Sequence, residues 1–472
     1  MFHGGNIHYA IAERTGAISC GGLGAIHTLA QRLGLVKEID AHLHLLKVHL
    51  PYHESDHILN VAYNILAGGV RLEDLELRRQ DEHYLDSLGA ARIPDPTTAG
   101  DFTRRFQPED ILTLQESINR SRQRVWAQQP KGFLAEAYVD VDGTIAGTLG
   151  ECKGGMDISY KGNWGYAPLI VSLANTHEVL YTVNRPGNVC SHQGSVEWID
   201  RAIGLVTPHA GCVTVRGDTD FTHTAHLDRW DAQGTKFILG MDAHAKVVGL
   251  AEALPPAAWH PLARAPKYEI LTEPRPKPVN VKEQIVKERG YQNIVLQGED
   301  IAEFAYQPGK CAQAYRLVVV RKNLSIQRGE EALFAEIRYF FYITNRADLT
   351  VEEVVALANQ RCNQENVIAQ LKGAVQAMRM PVNDLNSNWA YMVMATLAWN
   401  LKAWFALLVP DRACGLELLQ MEFRTFLQAI VALPAQILRT ARKLIYRLLG
   451  YNRWLKVLLK TFERIRQLAL TG

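Results

Sequence analysis

The spacing of apolar residues changes along the chain and divides it into segments. Within residues 1–130, apolar positions recur three or four apart in GLGAIHTLAQRLGL, SDHILNVAYNILAG and EDILTLQESINRSRQRVWAQQ, which predicts short helices. We therefore predict a helical N-terminal domain. Small helices that end in basic residues suit a helix-turn-helix module for binding DNA ends, and a helical packing or dimerisation domain is the alternative of equal weight.

From residue 131 the pattern becomes that of strands. FLAEAYVDVDGT reads as a strand, and YAPLIVSLANTHEVLYTVNRPGN reads as two strands joined at residues 175–177. SVEWIDRAIGLV and FTHTAHLDRWDAQG then read as helices that alternate with the strands GCVTVRGD and TKFILGMD. A strand, a hairpin, a helix, a strand, a helix and a strand follow the order of a ribonuclease-H-like α/β core, so we assign its first part to residues 131–242.

The remaining sequence interrupts and then completes this order. Residues 243–343 begin with a proline-rich stretch and contain the strand-like runs YRLVVVRKN and EIRYFFYITN, which predicts a β-rich insertion. Residues 344–408 are expected to form the second part of the core, with LTVEEVVALANQRCNQENVIAQLKGAVQAM as one helix and a second helix at about 388–408. Residues 409–472 are predicted to be a basic helical tail with breaks at Pro434 and Gly450.

Composition adds few constraints to this division. With 472 residues, 47% hydrophobic and 21% charged, the chain is typical of a globular protein of two or more domains, and its net charge of +2 indicates no partner by itself. The seven cysteines are scattered singly, which argues against a structural zinc site or a disulfide framework. The N-terminus does not resemble a secretory signal and no run of about 18 apolar residues occurs, so we expect a cytoplasmic protein without a membrane span.

Two pairs of carboxylates stand at the ends of predicted strands. Asp140 and Asp142 are two residues apart and therefore project from the same face, and Asp218 and Asp220 repeat the arrangement in VRGDTDF. Neighbouring buried carboxylates need a cation or a proton to compensate them, and oxygen clusters of this kind suit Mg²⁺ or Mn²⁺. A single aspartate in such a position often does no more than cap a loop or a helix, but two acidic pairs make that explanation weaker.

A third acidic residue would complete such a site, and Glu365 is the candidate. Arg361, Glu365 and Lys372 are spaced four and seven residues apart, which would put them along one face of a continuous helix. The alternative is an ordinary solvated face that carries one intrahelical ion pair.

Several short motifs, taken in order, resemble the DDE transposases of bacterial insertion sequences, and more narrowly the group numbered thirteen-eighty. The resemblance spans nearly the whole chain and rests on PYHESDHILNVAYNILAGG, LEDLELRRQDEHYLDSLG, DVDGT, GYAPLIV, NRPGN, VRGDTDF and RCNQENVIAQLK. It implies a ribonuclease-H-like core and an enzyme that cleaves insertion-sequence ends and transfers them into target DNA.

The resemblance also implies roles for individual residues. Asp142, Asp218 and Glu365 take the places of the catalytic, metal-binding triad, with two Mg²⁺ or Mn²⁺ ions. Arg361 and Lys372 match the basic positions of a Tyr-Arg-Glu-Lys signature and are expected to contact DNA. Ala358 stands where that signature has tyrosine.

The partners implied are double-stranded DNA, as terminal inverted repeats and as target, and a second copy of the chain in a synaptic complex. The tail between residues 439 and 466 is rich in basic residues and is expected to turn a cationic face toward phosphates. The tail residues predicted to bind DNA are Arg439, Arg442, Lys443 and Arg447.

Two other functions remain open from the sequence. DVDGT also matches the motif of haloacid-dehalogenase-like phosphatases, with Asp140 as nucleophile and Asp142 as acid/base, although that interpretation leaves the N-terminal 130 residues and the tail without a role. The other is a transposase relic that binds DNA without catalysis.

Overall fold

The computed structural model describes residues 15–264, 278–329, 331–440, 443–450 and 452–469. The helices are α1 Leu23–Arg32, α2 Leu35–His42, α3 Glu54–Leu66, α4 Leu75–Arg79, α5 Glu82–Leu88, α6 Pro96–Thr103, α7 Pro108–Trp126, α8 Ser195–Val206, α9 Thr224–Ala232, α10 Ala245–Glu252, α11 Val281–Glu288, α12 Val351–Gln360, α13 Asn363–Lys372, α14 Leu385–Leu407, α15 Arg412–Gln420, α16 Phe423–Phe426 and α17 Leu455–Gln467. The strands are β1 Gly16–Ile18, β2 Leu134–Gly143, β3 Ala146–Gly147, β4 Asp157–Ile158, β5 Trp164–Tyr166, β6 Leu169–Leu173, β7 Glu178–Val183, β8 Ala210–Gly217, β9 Lys236–Met241, β10 His260–Pro261, β11 Gln292–Tyr306, β12 Tyr315–Arg328, β13 Glu331–Thr344, β14 Ala435–Thr440 and β15 Lys443–Leu448.

These elements form two compact units. The helical unit comprises Met1–Phe133, Gly143–Cys190 and Asn366–Gly472, and the sheet unit comprises Leu134–Asp142 and Ser191–Glu365. None of the helices in the described ranges has the length and apolarity needed to traverse a bilayer.

The helical unit is organised around α14. This helix is apolar on all sides and is buried along almost its whole length, which is the pattern of a helix enclosed by other elements. It packs against α3, α7, α15 and the β6–β7 hairpin, whose two strands pair antiparallel as the sequence predicts. The predicted N-terminal helices are also confirmed, as α1, α3 and α7.

A fully buried ion pair joins α7 to β7 in the helical unit. Arg122 donates from Nε to Glu178 Oε1 over 3.0 Å, and both side chains are inaccessible to solvent. Trp126, Thr176 and Trp404 donate three further hydrogen bonds to the Glu178 carboxylate, at 2.6–2.9 Å. Because the carboxylate is so fully bonded, its charge is tolerated in the interior and links α7, β7 and α14.

The sheet unit contains a mixed sheet that begins with parallel strands. β2 pairs parallel to β8, and β8 pairs parallel to β9. β13 then adds antiparallel to β9, with Phe341 opposite Met241, and β12, β11 and β10 follow in antiparallel order. The strand-like runs YRLVVVRKN and EIRYFFYITN within residues 243–343 are strands, β12 and β13, and they continue this sheet. Helix α12 covers the sheet through a cluster that includes Val318, Val320 and Val354.

The prediction of one continuous helix after residue 350 is wrong. α12 ends at Gln360 and α13 begins at Asn363, so Arg361 lies in the turn after α12 whereas Glu365 lies on α13. Arg361 is the C-terminal cap of α12, and the amide of Gln364 donates to the Arg361 carbonyl over 2.8 Å in the turn between them. The periodicity of the apolar residues hides this break because both helices have a buried face.

The prediction of a wholly helical tail is also wrong. β14 and β15 form an antiparallel hairpin, and β14 also pairs with β1. Burial alternates between successive residues from Ala435 to Leu438, which is the period of a strand. The pairing with β1, more than 400 residues earlier, satisfies the backbone of β14 and is invisible to local periodicity. The last helix, α17, agrees with the prediction and buries Leu458, Thr461 and Ile465.

We predict that Glu178→Ala destabilises the helical unit by about 3–5 kcal/mol, because it leaves the buried Arg122 guanidinium without its counter-ion. Chemical unfolding followed by tryptophan fluorescence measures this loss. Glu76→Ala, which removes an exposed ion pair with Arg79 in the same unit, is the matched control and is expected to have no measurable effect. Equal midpoints for the two variants would contradict the role given to Glu178.

A second prediction concerns Lys402, which is buried in α14 and donates to the Leu419 carbonyl over 2.8 Å. Burial lowers the pKa of Lys402 from 10.5 to about 7, so the folded state binds this proton more weakly than the unfolded chain does. The resulting cost to stability is full below pH 7 and disappears as the pH rises from 7 towards 10.

Lys402→Met should therefore raise the thermal midpoint most at pH 7 and below, by roughly 3 °C or more, since about 1 kcal/mol moves the midpoint of a domain of this size by roughly 2–4 °C. The gain over the unaltered protein should shrink towards pH 10. Lys37→Met, at an exposed position of the same unit, is the control and should give no such pH-dependent gain. A gain that is constant with pH would show that the lost charge is not its cause.

Candidate active site

The site begins with a buried ion pair between two adjacent strands. Asp140 on β2 is opposite Arg216 on β8 in the parallel register, and only 1% of the Asp140 side chain is exposed. Arg216 donates from Nε to Oδ1 over 2.7 Å and from Nη2 to Oδ2 over 2.8 Å, and its Nη1 donates to the Leu357 carbonyl. This two-pronged bond fixes the register of the strands and occupies both carboxylate oxygens of Asp140.

The same register brings Asp142 and Asp218 to one edge of the sheet. Each follows its member of the ion pair by two residues, on strands that run in the same direction. β8 ends at Gly217. A Cβ atom at this position would lie only 2.8 Å from the Cβ of Phe221, so the lack of a side chain allows the chain to turn back this closely after the strand. Asp218 caps the short helical turn that follows and accepts a hydrogen bond from the Asp220 amide over 3.0 Å.

Arg361 bonds to Asp142 and acts electrostatically on Asp218. Its Nη1 donates to Asp142 Oδ2 over 3.2 Å, and Nη2 lies 3.9 Å from Glu365 Oε1. The Arg361 and Asp142 side chains are only 15% and 14% exposed, whereas Glu365 is 64% exposed. Burial works against the arginine charge, but Asp142 and Asp218 outweigh it and raise the pKa of Arg361.

The surroundings of Asp218 disfavour its ionised form. Burial is the largest influence and raises the pKa of Asp218, and the nearby Asp220 and Glu365 carboxylates act in the same direction. Arg361 opposes this shift. Asp142, Asp218, Glu365 and Arg361 therefore form one electrostatically coupled group in the sheet unit.

The other predicted DNA-binding residues lie in the helical unit. Lys372 is exposed at the end of α13, and Lys443 and Arg447 are exposed on β15. Arg439 is bound by Asp86, 2.5 Å away. Arg442 lies outside the described residues. Ala358, in the place of the signature tyrosine, packs against the apolar cluster beneath α12.

The geometry bears on the predicted metal ligands. Within the described part of the chain, no group of three or more His, Cys, Asp or Glu side chains is arranged to hold a metal ion. Carboxylate oxygens are the ligands that Mg²⁺ and Mn²⁺ prefer, so the chemistry of Asp142, Asp218 and Glu365 suits such ions. In this structure the positive charge beside Asp142 and Glu365 is the Arg361 guanidinium.

Sequence reasoning missed Arg216 and the structural role of Asp140. The available signal was the position of Arg216, a charged residue within an apolar strand and two residues before Asp218, just as Asp140 comes two residues before Asp142. The phosphatase interpretation required Asp140 as a nucleophile. Its burial and its two bonds to Arg216 leave it unable to attack a substrate.

Comparison with known proteins identifies the family. The sequence matches the profile of the family described as transposase DDE domain, group 1, over residues 12–470. The chain belongs to this family of DDE transposases. No curated protein sequence matches it. Among solved structures it is similar to piggyBac transposase in a cryo-EM structure of its synaptic complex with hairpin DNA, with 12% identity, a TM-score of 0.35, and coverage of 88% of this chain and 84% of that one.

For this transposase-family chain, we predict that loss of charge at the two aspartates of DVDGT changes stability by different amounts. Asp140→Asn should destabilise the sheet unit by on the order of 3 kcal/mol, because Arg216 remains buried without a counter-ion. Asp142→Asn should change stability by less than about 1 kcal/mol, since the lost attraction to Arg361 is offset by less repulsion from Asp218. Chemical unfolding of the two variants side by side tests this, and a stable Asp140→Asn protein would contradict it.

Proposed function

We propose that this protein is a DNA transposase of a bacterial insertion sequence, in the thirteen-eighty group, that cleaves the ends of its element and joins them to target DNA. The observation that carries the proposal is the convergence of Asp142, Asp218 and Glu365 on Arg361. Membership of the DDE transposase family supports the same reaction class. The parallel β2, β8 and β9 strands support the ribonuclease-H-like interpretation of the core.

In this proposal Asp142, Asp218 and Glu365 are the catalytic carboxylates and the ligands of divalent metal. DDE transposases generally use such ions, which supply Lewis-acid activation of the attacking and leaving oxygens when bound. The contribution of the other residues is to position these acids. The Asp140–Arg216 pair fixes the strand ends that carry Asp142 and Asp218, and the start of α13 presents Glu365 to solvent.

DNA binding is proposed to involve basic residues on both units. Arg361 suits a backbone phosphate because its planar fork can donate two hydrogen bonds to phosphate oxygens, and Lys372 would act as a point charge. Lys443 and Arg447 are exposed on β15 and remain candidates, whereas Arg439 would first have to release Asp86. Pairing of two element ends would require two copies of the chain, so we propose a homodimer in the synaptic complex.

The test is cleavage of a labelled duplex that carries the terminal repeats, taken from the DNA flanking the coding sequence, in Mg²⁺. Asp142→Asn, Asp218→Asn and Glu365→Gln should each lower cleavage by at least about a thousandfold while leaving binding of the duplex within about threefold, because affinity comes mainly from phosphate contacts.

Glu197→Gln is the matched control, since Glu197 is an exposed carboxylate of the sheet unit that pairs with Arg201 along helix α8. It should cleave normally. Full cleavage by any of the three site variants would remove that residue from the proposed triad. A generic phosphatase substrate, assayed beside the duplex, should not be turned over.

A further inference from the structure

The cation in the acidic site belongs to the protein itself. Arg361 lies within 3.2 Å of Asp142 and 3.9 Å of Glu365, and it also acts electrostatically on Asp218. Largely buried acids held near each other need positive charge close by. Arg361 supplies it, and within the described residues no metal-ready cluster of side chains accompanies it.

A guanidinium and a divalent metal ion compete for the Asp142 carboxylate. A Mg²⁺ ligand must approach to roughly 2.0–2.1 Å through an oxygen lone pair, and Asp142 Oδ2 already accepts from Arg361 Nη1. Two cations on one carboxylate would also repel each other in a site that is mostly shielded from solvent. Arg361 in its present position therefore opposes metal binding at Asp142, and movement of Arg361 away from the carboxylate would favour that binding.

The position of Arg361 in the chain favours such a movement. Arg361 lies in the turn that separates α12 from α13, so its backbone is outside the regular body of either helix. Glu365, four residues later, is 64% exposed, which shows that the site is open to solvent on that side. A DNA phosphate approaching from there would offer Arg361 two oxygens in place of Asp142.

We infer that Arg361 is an internal cation that holds the carboxylates in a metal-free arrangement and is drawn away by a DNA phosphate, so that DNA and divalent metal bind this site cooperatively. The inference rests on the proposed function and adds a regulatory step to it. By thermodynamic linkage, DNA should raise metal affinity by the same factor by which metal raises DNA affinity. An enzyme built this way binds metal at the acidic site more tightly once DNA is in place.

The experiment is calorimetric titration of the purified full chain with Mn²⁺, with and without a short DNA duplex. Arg361→Gln removes the competing charge and should bind Mn²⁺ about tenfold more tightly than the unaltered protein when DNA is absent, within the range typical of coupling between sites. DNA should strengthen Mn²⁺ binding to the unaltered protein by a similar factor and to Arg361→Gln by much less. The matched control is Arg338→Gln, which removes an arginine paired with Glu336 on the surface of the same unit and should behave as the unaltered protein.

Arg361→Lys keeps the charge and guards against a folding defect in the glutamine variant. It should bind Mn²⁺ within about threefold of the unaltered protein, since the internal cation is retained. Thermal unfolding in a chelator should give a lower midpoint for Arg361→Gln than for Arg361→Lys, and Mn²⁺ should raise the midpoint of the glutamine variant more.

The outcomes distinguish a failure of the proposed function from a failure of the role inferred for Arg361. If Asp142→Asn and Asp218→Asn bind Mn²⁺ as well as the unaltered protein does, the acids are not metal ligands and both the proposed function of the site and this inference fail. If those variants lose Mn²⁺ binding but Arg361→Gln and the unaltered protein have equal affinities without DNA, the triad stands and the internal-cation role of Arg361 is overturned.

Discussion

The acidic site depends on the bond between Asp140 and Arg216. Backbone hydrogen bonds alone do not specify the register of two parallel strands, because the same ladder can form in a shifted register, but a buried carboxylate and a buried guanidinium tolerate only the register in which they meet. That register sets Asp142 and Asp218 side by side where the strands end. A slip of one residue would turn one acid to the other face of the sheet, so the pair determines whether the site exists.

The buried carboxylates of this protein differ in how their oxygens are hydrogen-bonded. Glu178 in the helical unit and Asp140 in the sheet unit have each of their oxygens bonded at short distance by donors of the same unit. At the strand ends, Asp142 accepts from Arg361 over the longer distance of 3.2 Å, and the pKa of Asp218 is raised by its burial. Complete bonding at short distance is typical of groups that maintain structure, whereas clustered acids with shifted pKa values are typical of functional sites.

Local periodicity was sufficient to predict the helices α1, α3, α7 and α14 and the β6–β7 hairpin, because each buries one side or all sides at a spacing that the sequence displays. It failed at the β14–β15 hairpin, where the conformation depends on pairing with β1 at the other end of the chain. The site was likewise predictable only where it depends on local periodicity and not on contacts between distant parts of the chain. The placement of Asp142 and Asp218 at strand ends follows from alternation along each strand, whereas the cation that compensates Asp142 comes from a turn more than 140 residues further on.

The break between α12 and α13 shows why a continuous helix would serve this site less well. In one helix, residues four apart lie on the same face, so Arg361 and Glu365 would chiefly bind each other. With the helix interrupted at residues 361–362, Arg361 instead points into the site, mostly buried against Asp142, while Glu365 remains mostly exposed and lies 3.9 Å from the guanidinium. The interruption therefore gives the two side chains different environments, one facing the strand ends and one facing solvent. If Arg361 formed its ion pair mainly with a glutamate on its own helix, it would stabilise the charges of Asp142 and Asp218 less. The two strand-end acids would then repel each other without compensation.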